Sequence, residues 1–378
     1  MTRPLRIGIV CHPSVGGSGI LASELGEELA TRGHEIHFVS HSPPFRMSTG
    51  APRIHFHQVE VNSYDLFKYP DYTLPLSVKL AEVSTAHALD ILHVHYAVPH
   101  ATAAMLAMTM LPKEKRPKVV VTMHGTDVTL LGCDAGYAPA IQHALEHADS
   151  VTTVSQFLQR EMNKRFTFTT PVEVIPNFFT ARVATRAREI VRAELGLAPD
   201  EALLLHMSNL RPIKRIDLLL ETLAALAVGG EKFKLVVLAG GDFEPHAARA
   251  RELGLTERIL VRDKVTAIED YLQAADVGVF TSQIESFCLS ILEAATFACP
   301  SVAFAVGGIP EVITSGEHGE LVPFGDTTAM ARAIAGLLHD PARRRAMGAA
   351  ARERAHTLFS AEKIVPRYEA HYRALLAT

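Results

Sequence analysis

The chain has 378 residues, a formal net charge of −4 and a pI near 6.6, so it lacks the basic excess typical of nucleic-acid-binding proteins. With 48% hydrophobic and 21% charged residues, the composition is that of a globular protein with enough apolar residues for two domains. No apolar run approaches the length of a membrane span, so none is expected.

The cysteines and histidines do not form recognisable metal or disulfide patterns. The four cysteines are scattered and contain no C-x-x-C, which fits a reducing cytosol. The nineteen histidines show no H-E-x-x-H or similar spacing, so no metal site is expected. The first predicted strand begins at Leu5 without a preceding signal peptide, and the expected location is the cytoplasm.

In the first half of the chain, short apolar runs alternate with amphipathic segments. The predicted strands are 5–11, 35–40, 54–59, 90–95, 118–123 and 150–154. The predicted helices are 18–32, 74–88, 98–110, 137–148 and 155–166. This alternation predicts a parallel, doubly wound α/β sheet.

The second half repeats the pattern after a predicted hinge at 178–184 and a helical stretch at 185–195. The predicted strands are 202–207, 233–239, 259–262, 276–280 and 300–304. The predicted helices are 215–228, 245–254, 267–275, 286–298, 327–339, 341–357 and 361–376. We expect two Rossmann-like domains facing across a cleft, 1–180 and 181–355, with a C-terminal helix in 356–378 that packs back on the first domain.

A glycine-rich turn follows the first strand and contains Gly16, Gly17 and Ser18. Glycines let the backbone approach a ligand closely, and the N-terminus of the following helix favours an anion. No Lys-Ser/Thr pair follows, so this is not a Walker loop. A plain tight turn would have the same composition, but the position after the first strand favours a ligand site.

Two histidine strings end predicted strands. His124 precedes Gly125 after strand 118–123, where an open α/β sheet binds ligands, although a histidine bonded to a loop carbonyl is the alternative. Alternation places His93 and His95 on one face of their strand. Because no carboxylate or cysteine is near them in sequence, packing or an acceptor contact is expected there rather than a metal.

A basic string with Asn209, Arg211 and Lys214 opens the second half. Arg211 can bind phosphate oxygens in a fork, and Lys214 adds a point charge. Such cations would stabilise a departing diphosphate. The alternative is a solvated basic helix start, but cations oppose the dipole at a helix N-terminus, so a compensating anion is expected.

Two glutamates, Glu285 and Glu293, stand eight positions apart around a predicted strand-to-helix loop. The first amides of the helix suit a phosphate, and the carboxylates can accept hydrogen bonds from sugar and ribose hydroxyls. An ordinary pair of surface glutamates is the alternative. The glycine pair Gly307 and Gly308, which follows at the spacing of a βα unit, favours the functional interpretation.

The Glu285–Glu293 string resembles the E-x7-E signature of retaining GT-B glycosyltransferases, and with the other motifs the chain resembles glycosyltransferase family 4. A narrower resemblance, over nearly the whole chain, is to the branch of that family that serves bacillithiol biosynthesis. That resemblance is carried by the strings 12–19, 33–38, 44–46, 93–100, 124–127 and 208–211. It implies transfer of N-acetylglucosamine from UDP-N-acetylglucosamine to L-malate with retention, without a cofactor or an obligatory metal.

The resemblance also implies residue roles for the donor. Glu285 would hold sugar hydroxyls, Glu293 the ribose diol, and Arg211 and Lys214 the diphosphate. His124 would lie beside the donor sugar and would complete a catalytic set with Arg211, Lys214 and Glu285. Further donor contacts would come from Gly16, Gly17, Ser18, Asn209, Phe287, Cys288 and Leu289.

The acceptor site is expected in the first domain, at Ser18, Arg46, Tyr96 and Thr122. The segment around Gln142 lacks an arginine that relatives often carry, so Arg46 is the expected substitute cation. Cys288 stands where glycine is usual, which makes its backbone geometry a point to check. The sequence leaves open whether the chain forms a homo-oligomer.

Three other functions fit parts of this pattern. The first is a family-4 glycosyltransferase with a different acceptor, which would be inositol phosphate, a lipid or a polysaccharide. A UDP-N-acetylglucosamine 2-epimerase would share the architecture, and a sugar-nucleotide sensor would bind without turnover. The glycine-rich turn together with the full set of Arg211, Lys214 and both glutamates favours transfer.

Overall fold

The computed structural model describes residues 3–13, 16–48, 50–61 and 71–377. The chain divides into two compact units, one formed by Met1–Asn177 with Ala361–Thr378 and the other by Phe178–Ser360. The expected boundaries, after 180 and after 355, lie within five residues of these. Within the described ranges, no helix is both long enough and apolar enough to cross a bilayer.

The first unit is built on a parallel sheet of seven strands in the order β3-β2-β1-β4-β5-β6-β7. The strands are β1 (Arg6–Val10), β2 (Glu35–Ser40), β3 (Ile54–Gln58), β4 (Ile91–His95), β5 (Lys118–Met123), β6 (Ser150–Thr153) and β7 (Val172–Val174). Every residue of β4 is buried, because helices on the crossover connections cover both faces of a parallel sheet.

Six helices of the first unit precede the second unit. They are α1 (Gly17–Thr31), α2 (Thr73–Ala86), α3 (Thr102–Thr109), α4 (Thr126–Thr129), α5 (Ala138–His147) and α6 (Gln156–Arg165). The helix predicted at 98–110 is two elements, because a π-helical turn (Ala97–Ala101) with non-helical backbone at Val98 precedes α3. α6 begins after Ser155, whose hydroxyl accepts a hydrogen bond from the amide of Leu158.

The second unit contains a parallel sheet of six strands in the order β10-β9-β8-β11-β12-β13. The strands are β8 (Ala202–Ser208), β9 (Phe233–Ala239), β10 (Ile259–Asp263), β11 (Val277–Phe280), β12 (Ser301–Phe304) and β13 (Gly319–Val322). Numbered within the unit, the order is 3-2-1-4-5-6, that of a Rossmann fold. The short edge strands β7 and β13 were not predicted.

Eight helices belong to the second unit, and one more closes the chain. They are α7 (Arg188–Glu194), α8 (Ile216–Val228), α9 (Glu244–Glu252), α10 (Ile268–Ala274), α11 (Leu289–Thr296), α12 (Ile309–Val312), α13 (Thr327–His339), α14 (Pro341–Phe359) and finally α15 (Ala361–Leu376). Alternating strand residues feed separate cores on the two faces of the sheet: Leu204 and Val237 pack on one side, and Leu205 and Val236 on the other.

The last helix, α15, belongs to the first unit. Its Tyr372 is fully buried, and the hydroxyl lies 2.7 Å from Nδ1 of His93 in β4. Arg373 donates to the backbone oxygen of Arg3 ahead of β1. The final helix thus completes the core of the first unit.

In each sheet the strand order reverses direction at one point, which lies between β1 and β4 in the first sheet and between β8 and β11 in the second. An open α/β sheet binds ligands outside the carboxyl ends of its strands at such a point. The residues that follow β1 and β4, and those that follow β8 and β11, are therefore the ones to inspect for a site.

Candidate active site

The loop 281–288, between β11 and α11, carries Glu285 on a path fixed by two glycines. The amide of Gly308 donates to the backbone oxygen of Glu285 at 2.8 Å. A Cβ atom at Gly307 would lie 2.0 Å from that oxygen, and one at Gly308 would lie 2.2 Å from the oxygen of Ser286. Only glycine allows this approach, so the pair sets the position of Glu285.

Lys214 forms an ion pair with Glu285. Its Nζ lies 2.5 Å from Oε1, and the hydroxyl of Ser282 donates to the same oxygen at 2.7 Å. Burial opposes the charge of the lysine, but the attraction of Glu285 prevails and raises the pKa of Lys214 above its ordinary value. Lys214 is therefore a fixed positive charge beside a carboxylate.

The turn Pro212–Lys214 after β8 is tied to the loop after β11. Thr281 donates its hydroxyl to the backbone oxygen of Lys214 at 3.0 Å, and the amide of Gln283 donates to Ile213 at 2.8 Å. The sequence predicted both loops as site elements, and the structure brings them together. Their alignment needs no ligand, since the protein's own hydrogen bonds hold it.

Asn209 orients Arg211. With its amide oxygen facing the guanidinium, Asn209 accepts hydrogen bonds from Nε at 2.9 Å and Nη2 at 3.1 Å. The loop at Gly240 packs against this residue, since a Cβ there would lie 3.2 Å from Cα of Asn209. Nη1 of the Arg211 guanidinium takes no part in the hydrogen bonds with Asn209. Asn209 is thus a positioning residue for Arg211.

His206 is a site-supporting residue that the sequence analysis did not identify. It is buried in β8, where Nδ1 lies 2.8 Å from the backbone oxygen of Val279 and Nε2 lies 2.9 Å from the hydroxyl of Ser208. A carbonyl only accepts, so Nδ1 carries the proton and Nε2 accepts from Ser208. Burial lowers the pKa of His206 to about 4, which keeps the ring neutral. The sequence feature that could have identified His206 is a lone histidine within an apolar strand.

Cys288 caps α11 in the left-handed conformation, with φ +78° and ψ +78°. This explains why glycine is usual at the position, since side chains are strained at positive φ. The predicted helix start at 286 is wrong: α11 begins at Leu289, and Glu293 is half-buried about one turn inside it. Phe287 is buried against Phe359, with ring centroids 5.4 Å apart.

In the first unit, Gly16 caps α1 and its oxygen accepts from the amides of Gly19 at 3.0 Å and Ile20 at 3.1 Å. Gly17 is exposed and Ser18 half-buried at the start of the helix. The first-turn amides of a helix have no intrahelical acceptor, so this end suits an anion. Residues 14 and 15 of the predicted string lie outside the described residues.

His124 is held by the carboxylate of Asp127, three residues further along the chain. Asp127 is fully buried and accepts hydrogen bonds from the amides of His124 at 3.2 Å and Gly125 at 2.8 Å. Nε2 of His124 lies 2.8 Å from Nδ1 of His95. Burial, then the charge of His12, lower the pKa of His124 to about 3, and burial also lowers the pKa of His95. Both rings are therefore neutral, and one of these two nitrogens donates its proton to the other.

Tyr96 lies beside His124, with ring centroids 5.2 Å apart, and has a positive φ of 77°. Its amide donates to the backbone oxygen of Thr122 at 3.0 Å. His12 follows β1 and lies 5.5 Å from the Tyr96 ring. The structure therefore brings together residues after β1, β4 and β5, as the motifs predicted.

The assignment of Thr122 to the acceptor pocket needs correction. Its side chain is fully buried, and its hydroxyl lies 2.6 Å from both Nε2 of His93 and the hydroxyl of Thr152. With Tyr372 on the other nitrogen of His93, these groups form a closed polar network in the core. Thr122 stabilises the strand beneath the site rather than facing a ligand.

Arg46 is already paired with a carboxylate and is not a free cation for an acceptor. Its guanidinium forms an ion pair with Glu24 of α1, and their side chains are only 14% and 7% exposed. Gln142 lies on the surface, where its amide donates to Glu146 at 2.7 Å and to the backbone oxygen of Thr167 at 2.5 Å. The expected substitution of Arg46 for the missing arginine is therefore not supported by this arrangement.

His100 provides a polar atom that sequence reasoning missed. Its Nδ1 lies 2.5 Å from the backbone oxygen of His95, so Nδ1 carries the proton and Nε2 has the lone pair. Nε2 is buried and has no hydrogen-bond partner among the described residues, while the ring lies 4.4 Å from that of His12. Burial, with a smaller effect of His12, lowers the pKa of His100 to about 3. Nε2 is therefore a buried acceptor that the described residues leave unsatisfied.

Comparison with known families separates the two halves of the chain. Residues 15–181 match Glycosyltransferase Family 4, and residues 187–354 match glycosyl transferases group 1. The chain is 40% identical over 373 residues to the N-acetyl-alpha-D-glucosaminyl L-malate synthase of Bacillus anthracis, covering 98% of this chain and 97% of the relative. It is 29% identical to a D-inositol 3-phosphate glycosyltransferase of Kineococcus radiotolerans, with coverage of 90% and 86%.

Solved structures show the same fold. The sucrose-phosphate synthase of Thermosynechococcus elongatus matches with a TM-score of 0.82 at 22% identity, covering 99% of both chains. Anabaena Alr3699/HepE, solved in complex with UDP and glucose, matches with a TM-score of 0.82 at 18% identity, covering 98% of this chain and 100% of that one. At these identities the likeness establishes the fold, a GT-B pair of Rossmann-like domains.

Proposed function

The chain belongs to glycosyltransferase family 4, and from that premise we propose that it transfers N-acetylglucosamine from UDP-N-acetylglucosamine to the hydroxyl of L-malate. The observation that carries this assignment is the 40% identity to an L-malate synthase, which extends over 98% of the chain. It includes the first unit, where an acceptor site is expected. Such a reaction would be the first step of bacillithiol biosynthesis.

The second unit supplies the groups that a UDP-sugar needs. Arg211 and Lys214 carry the positive charge that a diphosphate leaving group requires, and both are held in place by protein contacts. Preorganised charge of this kind stabilises a transition state without reorganisation. The amides of Phe287, Cys288 and Leu289 would meet the phosphate and sugar, and Glu293 the ribose diol.

Glu285 would meet the hydroxyls of the donor sugar. Its Oε1 already accepts from Lys214 and Ser282, so that oxygen is fixed in place. A fixed carboxylate can orient the sugar ring with respect to the departing phosphate. The same contact would bring the positive charge of Lys214 next to the sugar–phosphate bond that breaks.

The first unit supplies groups for an acceptor with a hydroxyl. Tyr96, half-buried between β4 and the π-helical turn, would meet that hydroxyl, and the neutral ring of His124 lies beside it. The amides at the start of α1, from Gly17 and Ser18, fit a carboxylate.

We expect retention of the α anomer, as in the family, with the departing diphosphate taking the proton of the attacking hydroxyl. Charge stabilisation by Arg211 and Lys214 would replace an obligatory metal in this step. The cytoplasm is the proposed location, because all four cysteines are unpaired, as in proteins of a reducing compartment.

A family-4 transferase acting on inositol phosphate is the second candidate, supported by the relative at 29% identity over 90% of the chain. An epimerase is less well supported, because the paired cations and both glutamates suit departure of UDP to an acceptor. The lower identity to the inositol phosphate enzyme ranks this candidate behind the malate synthase.

The assignment is tested by an acceptor screen with UDP-N-acetylglucosamine and measurement of released UDP. Release that depends on L-malate, with an α-linked product identified by NMR, is the expected result. Release with inositol phosphate but not malate would transfer the assignment to the second candidate. Conversion of the sugar without UDP release would indicate an epimerase instead.

A further inference from the structure

A group of histidines lies on the edge strand β3 and its neighbour β2 in the first sheet, away from the motifs discussed above. We propose that Glu35, His37 and His55 bind a divalent transition metal ion of the zinc type. Parallel pairing places His37 beside His55, and alternation places Glu35 on the same face of β2 as His37. His57 lies two residues further along β3 and shares the face, and His87 caps the end of α2 nearby.

The spacing of the three ligand atoms fits a metal. Nε2 of His37 and Nε2 of His55 each lie 3.4 Å from Oε1 of Glu35, and all three ligand atoms fall within 4.8 Å of one another. Tetrahedral zinc with bonds of about 2.0–2.1 Å places its ligands about 3.3 Å apart. Two of the three edges therefore have the length that such a site needs.

The central ligand is a buried nitrogen in need of a partner. Nε2 of His37 is buried and has no hydrogen-bond partner among the described residues, although the side chain is fully enclosed. Leaving such an atom unpaired costs stability. A metal bound between this nitrogen, Glu35 and His55 would satisfy it.

The opposite nitrogen of His37 has the support expected of a metal ligand. Nδ1 lies 3.0 Å from Nε2 of His57, so a proton on Nδ1 would be donated to His57 while Nε2 binds the ion. Metal-binding histidines usually donate their second nitrogen in this way, which fixes the ring. The ring of His87 packs 4.3 Å from that of His37 and holds it from the other side.

The donor set selects the class of ion. Two imidazoles and one carboxylate suit zinc and similar first-row ions, and poorly suit calcium or magnesium, which prefer oxygen. The side chains of Glu35 and His55 are 39% and 41% exposed, so the ion has a path from solvent and room for a water as fourth ligand. Glu35 begins β2, whereas the candidate active site follows the carboxyl ends of strands, so the role is structural.

The proposal goes beyond the reaction above and does not depend on it. Sequence spacing concealed the site, because its ligands come from two strands separated by the segment 41–53. Bound metal would fasten the edge strand β3 to its neighbour β2. We expect it to stabilise the first unit without taking part in sugar transfer.

The test is zinc binding by untagged full-length protein that has been stripped with a chelator. Because His143 and His147 form a surface pair at i,i+4 that can itself bind zinc, all proteins carry His143→Gln. Calorimetry with Zn²⁺ should then show one site. Glu35→Gln and His55→Gln should each weaken it about tenfold or more, since even the loss of a group that only supports a ligand costs about that much.

Further measurements separate binding from folding. Both substituted side chains are partly exposed, so the variants should keep the circular dichroism of the parent. Co²⁺ should give stronger visible absorption of a tetrahedral site in the parent than in Glu35→Gln or His55→Gln, and the same concentration of Zn²⁺ should raise the thermal midpoint of the parent more than that of either variant. His339→Gln, which removes an exposed histidine 2.8 Å from Glu231 in the second unit, is the matched control and should bind zinc like the parent.

Two results would overturn the proposal. The first is absence of zinc binding by the parent, and the second is equal binding by the parent and both variants. If the second result came with loss of binding in His87→Gln, the ion would lie among His37, His57 and His87 instead. A rate of sugar transfer that is unchanged by zinc is the expected accompaniment.

Discussion

Nζ of Lys214 lies 2.5 Å from Oε1 of Glu285, and the two residues are 71 positions apart in the chain. This contact links the loop after β8 with the loop after β11, on the two strands that flank the switch point of the second sheet. It couples a cation suited to a diphosphate with a carboxylate suited to a sugar. We therefore expect any contribution of one residue to turnover to depend on the other.

Replacing Arg211 or Lys214 by alanine should lower kcat/KM about a hundredfold or more, the scale for losing a group that stabilises developing charge. The measurement is UDP release under steady-state conditions. Because Lys214 and Glu285 share one contact, Lys214→Ala combined with Glu285→Gln should lose less than the sum of the two single effects.

A variant of Arg215 provides the control for charge alone. Arg215 pairs with Asp217 at 2.6 Å on the exposed start of α8, so Arg215→Ala should leave kcat/KM nearly unchanged. Rates near the parent value in Arg211→Ala and Lys214→Ala would remove both cations from the site. Strict additivity of Lys214→Ala and Glu285→Gln would show that the ion pair plays no part in turnover.

Glu293→Gln should weaken UDP binding by about 1–3 kcal/mol, because the amide keeps one acceptor but loses the charge. Calorimetry with UDP measures this directly. Glu293 is only half-buried in α11, so the fold should tolerate the change. Unchanged UDP affinity with a lower thermal midpoint would assign Glu293 to the structure of the helix instead.

Much of the fold could be predicted, because strands buried on both faces are continuous apolar runs, as in Leu203–Leu205 and Val236–Leu238. The short edge strands β7 and β13 were not predicted, because three or four residues are too few to establish an apolar pattern. The helix predicted at 98–110 was interrupted by local backbone at Val98 that no periodicity reveals.

For the site, the sequence located the loops but not their contacts. Arg211, Glu285 and His124 follow strands, so topology alone indicated their neighbourhood. The pairing of Arg46 with Glu24 and the burial of Thr122 could not be predicted, because they depend on side chains from other elements. Contacts across long stretches of chain leave no local signal in one sequence.

Cys288→Gly should be more stable than Cys288→Ala by about 1 kcal/mol, the lower end of the cost of a strained backbone conformation. Both substitutions remove the buried sulfur, but only glycine relieves the positive φ of 78°. Urea unfolding of the two variants isolates the backbone effect. Equal midpoints would show that the αL conformation at the start of α11 carries no strain.

The stability of the protein should fall as the pH is lowered below about 6.5, the ordinary pKa of histidine. Burial, then the charges of His124 and His371, lower the pKa of His93 to about 3, so between these values the unfolded chain binds a proton that the folded chain does not. His93→Gln, which can still bond Thr122 and Tyr372, should reduce the pH slope of the unfolding free energy by about 1.4 kcal/mol per pH unit. Identical slopes would mean that His93 is protonated in the folded state.

Tyr96→Phe and Thr122→Val should have different effects, although the two residues are neighbours. The amide of Tyr96 bonds the backbone oxygen of Thr122, but the Tyr96 ring is half-buried beside His124 whereas the Thr122 hydroxyl is enclosed between His93 and Thr152. We expect Tyr96→Phe to raise the KM for L-malate while the affinity for UDP-N-acetylglucosamine stays nearly constant.

Thr122→Val removes the hydroxyl that bonds the buried Nε2 of His93 and the hydroxyl of Thr152, and should lower the unfolding free energy by about 1–3 kcal/mol. Urea unfolding measures that loss, and steady-state kinetics at a temperature where the variant remains folded measures the KM. Because the Thr122 hydroxyl is buried against His93 and Thr152, the KM for malate should change less than in Tyr96→Phe. A large rise in KM with unchanged stability would restore Thr122 to the acceptor pocket, since its side chain would then have to turn out of the core to meet the substrate.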